Sequence, residues 1–213
     1  EATYRFDTRR CAEVIDQQLI ARQALEFTEG DGERMTHVEV LTTVPPGTEL
    51  SRLARPTVSP LAPRLRRLLL EAQDSARIAN PYFDPDQRII GDIAGLPQKG
   101  VETAILTREI DDADHKLVLQ AIAESVGSQN LEKLSVRELF ELDEGGRQTA
   151  ATHAKLMVID DEIAYIGSAN LTRTSLETNF ELGLLVRGPP VTDITAIFDQ
   201  VYETAVPVDL PAR

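Results

Sequence analysis

Apolar residues recur along the chain at two different spacings, and the spacing changes from one segment to the next. From Pro60 onward, stretches with apolar residues three or four positions apart are separated by short apolar runs rich in Val and Ile. The first pattern is typical of amphipathic helices and the second of buried strands. It predicts helices at 61–72, 87–96, 111–126 and 192–205, and strands at 76–83, 101–106, 131–139, 152–159, 163–166 and 180–186. Because strands that alternate with helices need crossover connections, we expect an α/β fold with a mixed, largely parallel β-sheet flanked by helices.

Two segments lie outside this alternation. Near the start of the chain, apolar spacing predicts a helix over 8–27 and a strand over 38–44, which ends at a Pro-Pro-Gly sequence. We interpret residues 1–58 as an N-terminal helix plus strand extension to a main domain of residues 59–213. Residues 141–151 are polar, with two adjacent glycines, and predict a loop.

The composition restricts the kinds of site that the chain can contain. One cysteine and three histidines are too few for a zinc cluster, and no P-loop or EF-hand sequence is present. We therefore expect a site that uses neither a metal nor a cofactor. The first residues do not resemble a signal peptide, and no apolar run approaches the roughly 20 residues that span a bilayer. These features predict a cytoplasmic protein without a transmembrane segment.

The charge distribution has one local inversion. The chain has a net charge of −13, which repels nucleic acid and anionic membranes at long range. Residues 52–67 nevertheless contain five arginines and no carboxylate: Arg52, Arg55, Arg64, Arg66 and Arg67. Two interpretations are open, namely ion pairing with the acidic surplus or a patch that steers phosphate groups towards a site.

The most informative short segment begins at His153. His153 and Lys155 are two positions apart in the strand predicted over 152–159, so we expect both side chains on the same face. Burial of both polar groups on an apolar strand costs free energy unless they have partners. Next to a phosphate, however, the lysine supplies positive charge and the histidine supplies a nucleophile or a proton carrier.

Further polar residues follow at the ends of the next two predicted strands. Gly167 permits close approach of the backbone, and Ser168 and Asn170 have donors for an anionic oxygen. Asn179 and Glu181 alternate at the start of the last strand, and a carboxylate there can hold an imidazole in one tautomer.

Together these residues resemble a known family signature. The spacing His153-x-Lys155-x4-Asp160-x6-Gly167-Ser168-x-Asn170 is similar to the His-Lys-Asp signature of the phospholipase D superfamily, and Asn179-x-Glu181 resembles a second element of that family. A single copy of the signature is similar to the Nuc- and Zucchini-like branch of small phosphodiesterases. The arginine-containing segment before it also resembles the phospholipase-D-like component of DISARM defence systems, which suggests a larger defence or repair assembly as partner.

The resemblance implies a metal-independent, two-step reaction in the domain 59–213, with the sandwich fold of that superfamily. It implies that His153 attacks phosphorus to give a phosphohistidine and that Glu181 orients it. Lys155, Ser168 and Asn170 would bind the phosphate oxygens. Structural roles are expected for three signature residues: Asp160, Gly167 and Asn179.

The same mechanism needs a second histidine, which the chain does not supply in a matching sequence context. Neither His37 nor His115 is followed by the rest of the signature. We therefore expect a homodimer that brings two copies of His153 together. Nucleic acid is the expected substrate. The alternatives are a phospholipid, cleaved by a phosphatidyltransferase-type reaction, or a catalytically idle module that only binds nucleic acid.

Overall fold

A computed structural model describes residues 35–48, 58–85, 87–109 and 113–210. The helix predicted over 8–27 and the two arginines at 52 and 55 lie outside these residues. Within them, the helices are α1 Leu61–Glu71, α2 Arg88–Gln98, α3 Ala113–Val126 and α4 Pro190–Thr204, with a 3-10 helix at Ser128–Lys133 and a π-helical turn at Thr174–Thr178. Each predicted helix from residue 61 onward is present, with ends shifted by up to two residues.

The strands follow the predicted order, with four additions. The strands are β1 His37–Thr43, β2 Val58–Pro60, β3 Ser75–Ala79, β4 Glu102–Thr107, β5 Leu134–Glu138, β6 Phe140–Leu142, β7 Gln148–Ala151, β8 Leu156–Ile159, β9 Ile163–Gly167, β10 Glu181–Arg187 and β11 Val206–Pro207. The additions are β2, β6, β7 and β11. Strands β6 and β7 pair with each other as a separate hairpin. The prediction of a simple loop over 141–151 was therefore wrong, because the polar, exposed residues of this hairpin give no apolar alternation.

The other nine described strands form one sheet in the order β11-β5-β4-β3-β8-β9-β10-β1-β2. Pairs β3–β4, β4–β5 and β1–β2 are parallel, and the remaining pairs are antiparallel. The expected mixed α/β fold is confirmed. Antiparallel pairs nevertheless outnumber parallel ones, because β8, β9, β10 and β1 neighbour one another without crossover helices.

The N-terminal strand belongs to the same sheet as the rest of the fold. Strand β1 pairs along its whole length with β10, from His37 opposite Arg187 to Thr43 opposite Glu181. The sheet thus crosses the boundary between residues 58 and 59 that we expected from the sequence. Pairing between segments so far apart in the chain leaves no local pattern in the sequence.

Helices cover both faces of the sheet, because alternate residues of its central strands point to opposite sides. Ile78 and Ile105 pack in the core shared with α1, α2 and α3. Their neighbours Ala79 and Leu106 face the other side, where Phe198 of α4 covers them. The helices therefore lie on the two faces of the sheet. The ends of the strands form two uncovered rims, at the top and the bottom of the sheet, which we call its edges.

One of these edges collects the signature residues. Strands β3, β4 and β5 end there, and β8 begins there because it runs antiparallel to β3, with Leu156 opposite Ala79. Strand β9 returns to the same edge at Gly167, and β10 starts from it at Glu181. The chain direction in β8, β9 and β10 therefore brings segments 152–155, 167–170 and 179–181 together, and we call this end of the sheet the signature edge.

Candidate active site

His153 and Lys155 lie just before strand β8 and are in contact. The Lys155 ammonium donates to the His153 carbonyl at 2.9 Å and lies 3.0 Å from Nδ1 and 3.2 Å from Nε2 of the imidazole. The ladder of β8 starts only at Leu156, so the prediction of a strand through both residues was wrong. The contact arises because the lysine side chain turns back onto the histidine.

The two side chains differ in burial. Lys155 is 7 % exposed, whereas His153 is exposed. Burial lowers the pKa of Lys155, and the charge of Glu181 partly offsets this effect. An ammonium donates to a ring nitrogen only when that nitrogen is unprotonated and has a lone pair. An unprotonated nitrogen is also what a nucleophile needs. The arrangement thus combines an accessible imidazole with a buried positive charge directly beside it.

Ser168 and Glu181 form the second pair of the site. The Ser168 hydroxyl donates to Oε2 of Glu181 and accepts from the Leu182 N–H at 3.2 Å. The carboxylate is 8 % exposed. Among the described residues no hydrogen bond joins Glu181 to His153, so in this structure the carboxylate orients the serine hydroxyl rather than the imidazole. Gly167 N–H donates to the Lys155 carbonyl at 3.1 Å, which ties the two halves of the site together.

Asn170 lies in the turn after Ser168 and is half-buried. Its Oδ1 atom is buried and has no partner among the described residues. The turn is held by Asn80, whose side chain donates to the Ala169 carbonyl at 3.4 Å and accepts from the Leu171 N–H at 3.3 Å. Sequence reasoning did not identify Asn80, although a polar residue at the carboxyl end of a buried strand was the available signal.

Tyr165 explains why glycine is required at two positions beside the site. Its ring lies under both strand ends, so that a Cβ on Gly167 would lie 2.2 Å from the tyrosine hydroxyl and one on Gly183 would lie 2.4 Å from its Cε2. The hydroxyl is buried and has no hydrogen-bond partner among the described residues. Burial raises the pKa of Tyr165 to about 12.

Asp160 and Asn179 form no hydrogen bond with this cluster within the described residues. Asp160 is in the β8–β9 turn at the opposite end of the sheet, where its carboxylate accepts from the N–H groups of Gln73, Asp74 and Ser75 at 2.8–3.2 Å. Asn179 is exposed and precedes strand β10, so it does not share a strand face with Glu181 as the sequence predicted. Its backbone N–H donates to the Thr174 carbonyl at 2.7 Å.

The described arginines of segment 52–67 pair with carboxylates. Arg64 contacts Glu39 at 3.0 Å, and Arg66 contacts Asp92 at 2.5 Å. Arg67 pairs with Glu71 one helical turn further on, at 2.8 Å. Of the two interpretations, these contacts favour ion pairing with the acidic surplus.

The described residues contain neither a metal-ligand group nor a membrane-spanning helix. Among them, no three His, Cys, Asp or Glu side chains come together as a possible metal-ligand group. None of their helices combines the length and the apolar content that crossing a membrane requires.

A family model described as the phospholipase-D-like domain of cardiolipin synthase matches residues 65–202. The chain belongs to the phospholipase D superfamily. Cardiolipin synthase 2 of Staphylococcus epidermidis is 31 % identical over 120 residues, which are 56 % of this chain and 22 % of that protein. Cardiolipin synthase of Staphylococcus aureus N315 is 32 % identical over 120 residues, which are 56 % of this chain and 22 % of that protein. The chain thus spans about a fifth of the length of these relatives.

Solved structures of the superfamily share the fold. Nuc from Salmonella typhimurium aligns with a TM-score of 0.58 at 15 % identity, over 82 % of this chain and 99 % of Nuc. NucT from Helicobacter pylori gives 0.59 at 16 %, over 82 % of this chain and all of NucT. Phosphatidylserine synthase from Haemophilus influenzae gives 0.57 at 17 %, over 97 % of this chain and 48 % of the synthase. At these identities the likeness establishes the architecture alone.

Proposed function

We propose that this member of the phospholipase D superfamily is a metal-independent phosphodiesterase that cleaves nucleic acid through a phosphohistidine on His153. The observation behind the proposal is the contact between the exposed His153 imidazole and the buried Lys155 ammonium, with the Ser168–Glu181 pair beside them. A nucleophile beside fixed positive charge is what displacement at a phosphate requires.

In the first step, the lone pair of a His153 ring nitrogen attacks phosphorus and the ester bond to the leaving oxygen breaks. Lys155 and the amide of Asn170 bind the non-bridging oxygens, whose charge grows in the transition state. The Ser168 hydroxyl turns from Glu181 to these oxygens or holds the carboxylate in place. A proton from a second imidazole neutralises the leaving oxygen.

In the second step, water attacks the phosphohistidine. The second imidazole, now neutral, takes a proton from the water, and the phosphorus–nitrogen bond breaks to restore His153. The two steps return the proton to the imidazole that gave it, so the cycle needs no further reactant.

The second imidazole comes, on this proposal, from another copy of the chain. His37 lies at the far end of β1, opposite Arg187, and so at the edge away from the site. His115 lies in the first turn of helix α3 and, like His37, is not followed by the rest of the signature. A two-fold arrangement of two chains would place one His153 across from the other.

An apolar surface beside the site supports this arrangement. Ile166 and Leu184 are opposite each other on β9 and β10 and are both exposed, and the neighbouring Leu182 and Phe180 are exposed as well. These residues flank Ser168 and Glu181 in sequence. A second copy that covers this surface would bury apolar area at the same edge where the missing imidazole is needed.

A phospholipid is the second candidate substrate. It is favoured by the relatives named cardiolipin synthase and by the family model described with that name, which covers residues 65–202 and so the whole signature. On this alternative the same phosphohistidine is transferred to an alcohol instead of water.

The test is hydrolysis of bis(p-nitrophenyl) phosphate, single-stranded DNA and RNA in the presence of EDTA. His153→Asn should lower the rate by at least about a thousandfold. His37→Asn is the matched control and should retain full activity. Transfer of phosphatidyl groups between phosphatidylglycerol molecules in vesicles tests the lipid candidate. If the wild type acts on vesicles and not on DNA or RNA, the nuclease proposal is wrong.

Mixing of wild type and His153→Asn tests the dimer. If one site needs an imidazole from each copy, the activity of exchanged mixtures falls with the square of the wild-type fraction. A linear fall would show that each chain acts alone and would contradict the dimeric site.

A further inference from the structure

Arg108 lies at the signature edge, although it is not part of the signature. It directly follows Thr107, the last residue of β4. The Leu139 N–H donates a hydrogen bond to the Thr107 carbonyl at 2.9 Å. The Thr152 N–H, in the residue before His153, donates to the Leu139 carbonyl at 3.0 Å. The backbones that precede Arg108 and His153 are therefore two strand spacings apart, about 10 Å.

Neutral groups hold the Arg108 side chain in place. Its Nη1 donates to the Tyr82 hydroxyl at 2.7 Å and its Nη2 donates to Oε1 of Gln148 at 2.9 Å. The guanidinium carbon lies 5.1 Å from the centre of the Tyr82 ring. The third donor, Nε, is buried and has no partner within the described residues. The head group is thus fixed in position and has an unused donor.

Arg108 is one of three arginines, with Arg88 and Arg187, that form no ion pair within the described residues. Seven described arginines pair with Asp or Glu: Arg64, Arg66, Arg67, Arg77, Arg137, Arg147 and Arg173. No ion pair of the described residues includes Arg108. A charge that is anchored by neutral groups, with a buried N–H unsatisfied, retains its attraction for an anion.

Tyr82 adds an aromatic surface at the same place. It follows β3, and its carbonyl accepts from the Leu171 N–H at 3.2 Å, one residue beyond Asn170. The tyrosine is 38 % exposed. Arginine together with a partly exposed aromatic ring is a combination that binds the phosphate and the base of single-stranded nucleic acid.

We propose that Arg108 and Tyr82 form a second anion subsite, which binds a phosphate within about three nucleotides of the scissile one in a single-stranded nucleic acid. The inference rests on the proposed phosphodiesterase function. It adds that the site prefers a substrate with several phosphates along one strand. At a rise of about 3.4 Å per nucleotide, a strand spans the distance between the two positions within about three nucleotides.

The experiment compares two substrates that differ only in flanking charge. One is a short thymidine oligonucleotide, and the other is the same oligonucleotide with every linkage but one replaced by an uncharged methylphosphonate. Wild-type kcat/KM per cleavable linkage should be roughly tenfold higher for the fully charged strand, and Arg108→Gln should remove this preference. Arg108→Lys should restore part of it, because the charge is kept without the fork of donors.

Two controls separate a binding role from a structural one. Arg147→Gln removes an exposed arginine that pairs with Asp143 in the hairpin that also includes Gln148, and it should keep the preference. The loss of kcat/KM caused by Arg108→Gln should be larger on the fully charged strand than on bis(p-nitrophenyl) phosphate, which has a single phosphate. An equal loss on all substrates, or a wild type without any preference, would overturn the subsite.

Binding measurements keep the inference testable if the wild type cleaves nothing. In that case the proposed function fails. The subsite is then tested by measuring how tightly wild type and Arg108→Gln bind the same thymidine oligonucleotide with a fluorescent label. A weaker affinity and a salt slope reduced by about 0.7 would support it, and equal affinities would refute it. A loss of binding to cardiolipin vesicles alone, with oligonucleotide binding unchanged, would refute the nucleic-acid assignment.

Discussion

The hydroxyl of Tyr165 occupies the space that a side chain on Gly167 would need, since an added Cβ would lie 2.2 Å from it. The same ring lies 2.4 Å from the position of a Cβ on Gly183. Gly167 precedes Ser168, and Gly183 lies two residues after Glu181. One buried tyrosine therefore sets the spacing of the two strands that position the Ser168–Glu181 pair.

Gly167→Ala should disrupt this packing. We expect a loss of about 1–3 kcal/mol in the free energy of unfolding and a lower activity, because the ring or the strand end must move. Urea unfolding and hydrolysis assays measure the two effects. Gly91→Ala in helix α2 is the control: an added Cβ there has no atom within 4 Å, so stability should be unchanged or raised by about 0.5–1 kcal/mol. Similar results for the two variants would contradict the steric role of Tyr165.

Tyr165→Phe should change how stability depends on alkaline pH. The folded-state pKa of Tyr165 is about 12 and its ordinary value is 10.0. The unfolded chain therefore loses the proton first, and the stabilising effect is present below pH 10 and is lost as pH rises towards 12. Over this interval the wild type should lose roughly 1.4 kcal/mol per pH unit more than the variant. Unfolding curves at several alkaline pH values measure the difference in stability between the two proteins. Both proteins contain the other tyrosines, so the titration of those residues does not contribute to this difference. Parallel curves for the two proteins would mean that Tyr165 is not buried as described.

Much of the fold follows from local sequence patterns. Apolar spacing predicted helices α1–α4 and strands β3, β4, β5, β8, β9 and β10, because each of these elements buries one face and so has a clear period. The β6–β7 hairpin was missed, since its residues are largely exposed. The place of β1 next to β10 was missed for another reason: pairing between distant segments does not depend on any local period.

The candidate site was predictable to a similar extent. The signature spacing identified the residues that the chain direction of β8, β9 and β10 brings to one edge. It did not distinguish the extended segment before Leu156 from a paired strand, because both have alternating side chains. Nor did it indicate Tyr82, Arg108 or Asn80, whose relation to the site depends on contacts between different strands.

Lys155→Met should make the protein more stable and inactive. The buried ammonium has a lowered pKa, so the unfolded chain binds this proton more tightly than the folded chain does. The free-energy cost of burying the charged ammonium is fully present at neutral pH. It falls as pH rises through the lowered pKa towards the ordinary value of 10.5. At neutral pH we expect the variant to gain about 1 kcal/mol, an advantage that narrows at high pH. Urea unfolding at fixed protein concentration measures it, with the exposed Lys99→Met as a control that should change little. A destabilised Lys155→Met would show that the ammonium serves the fold rather than the reaction.

Asp160→Asn should separate the structural part of the signature from its chemistry. The Asp160 carboxylate accepts from three consecutive backbone N–H groups after helix α1, at the end of the sheet away from His153. Its φ of 54° is one that asparagine also tolerates, so the substitution changes the charge and one acceptor but not the turn. We expect a loss of about 1–2 kcal/mol in stability, because charge-assisted hydrogen bonds weaken. The rate per folded molecule should remain within about twofold, since nothing at the site moves. The neighbouring Asp161→Asn, which loses only an exposed contact to Arg77, should cost at most about 0.5 kcal/mol. If Asp160→Asn instead lowered kcat by orders of magnitude in fully folded protein, Asp160 would have to act on the reaction through the length of β8.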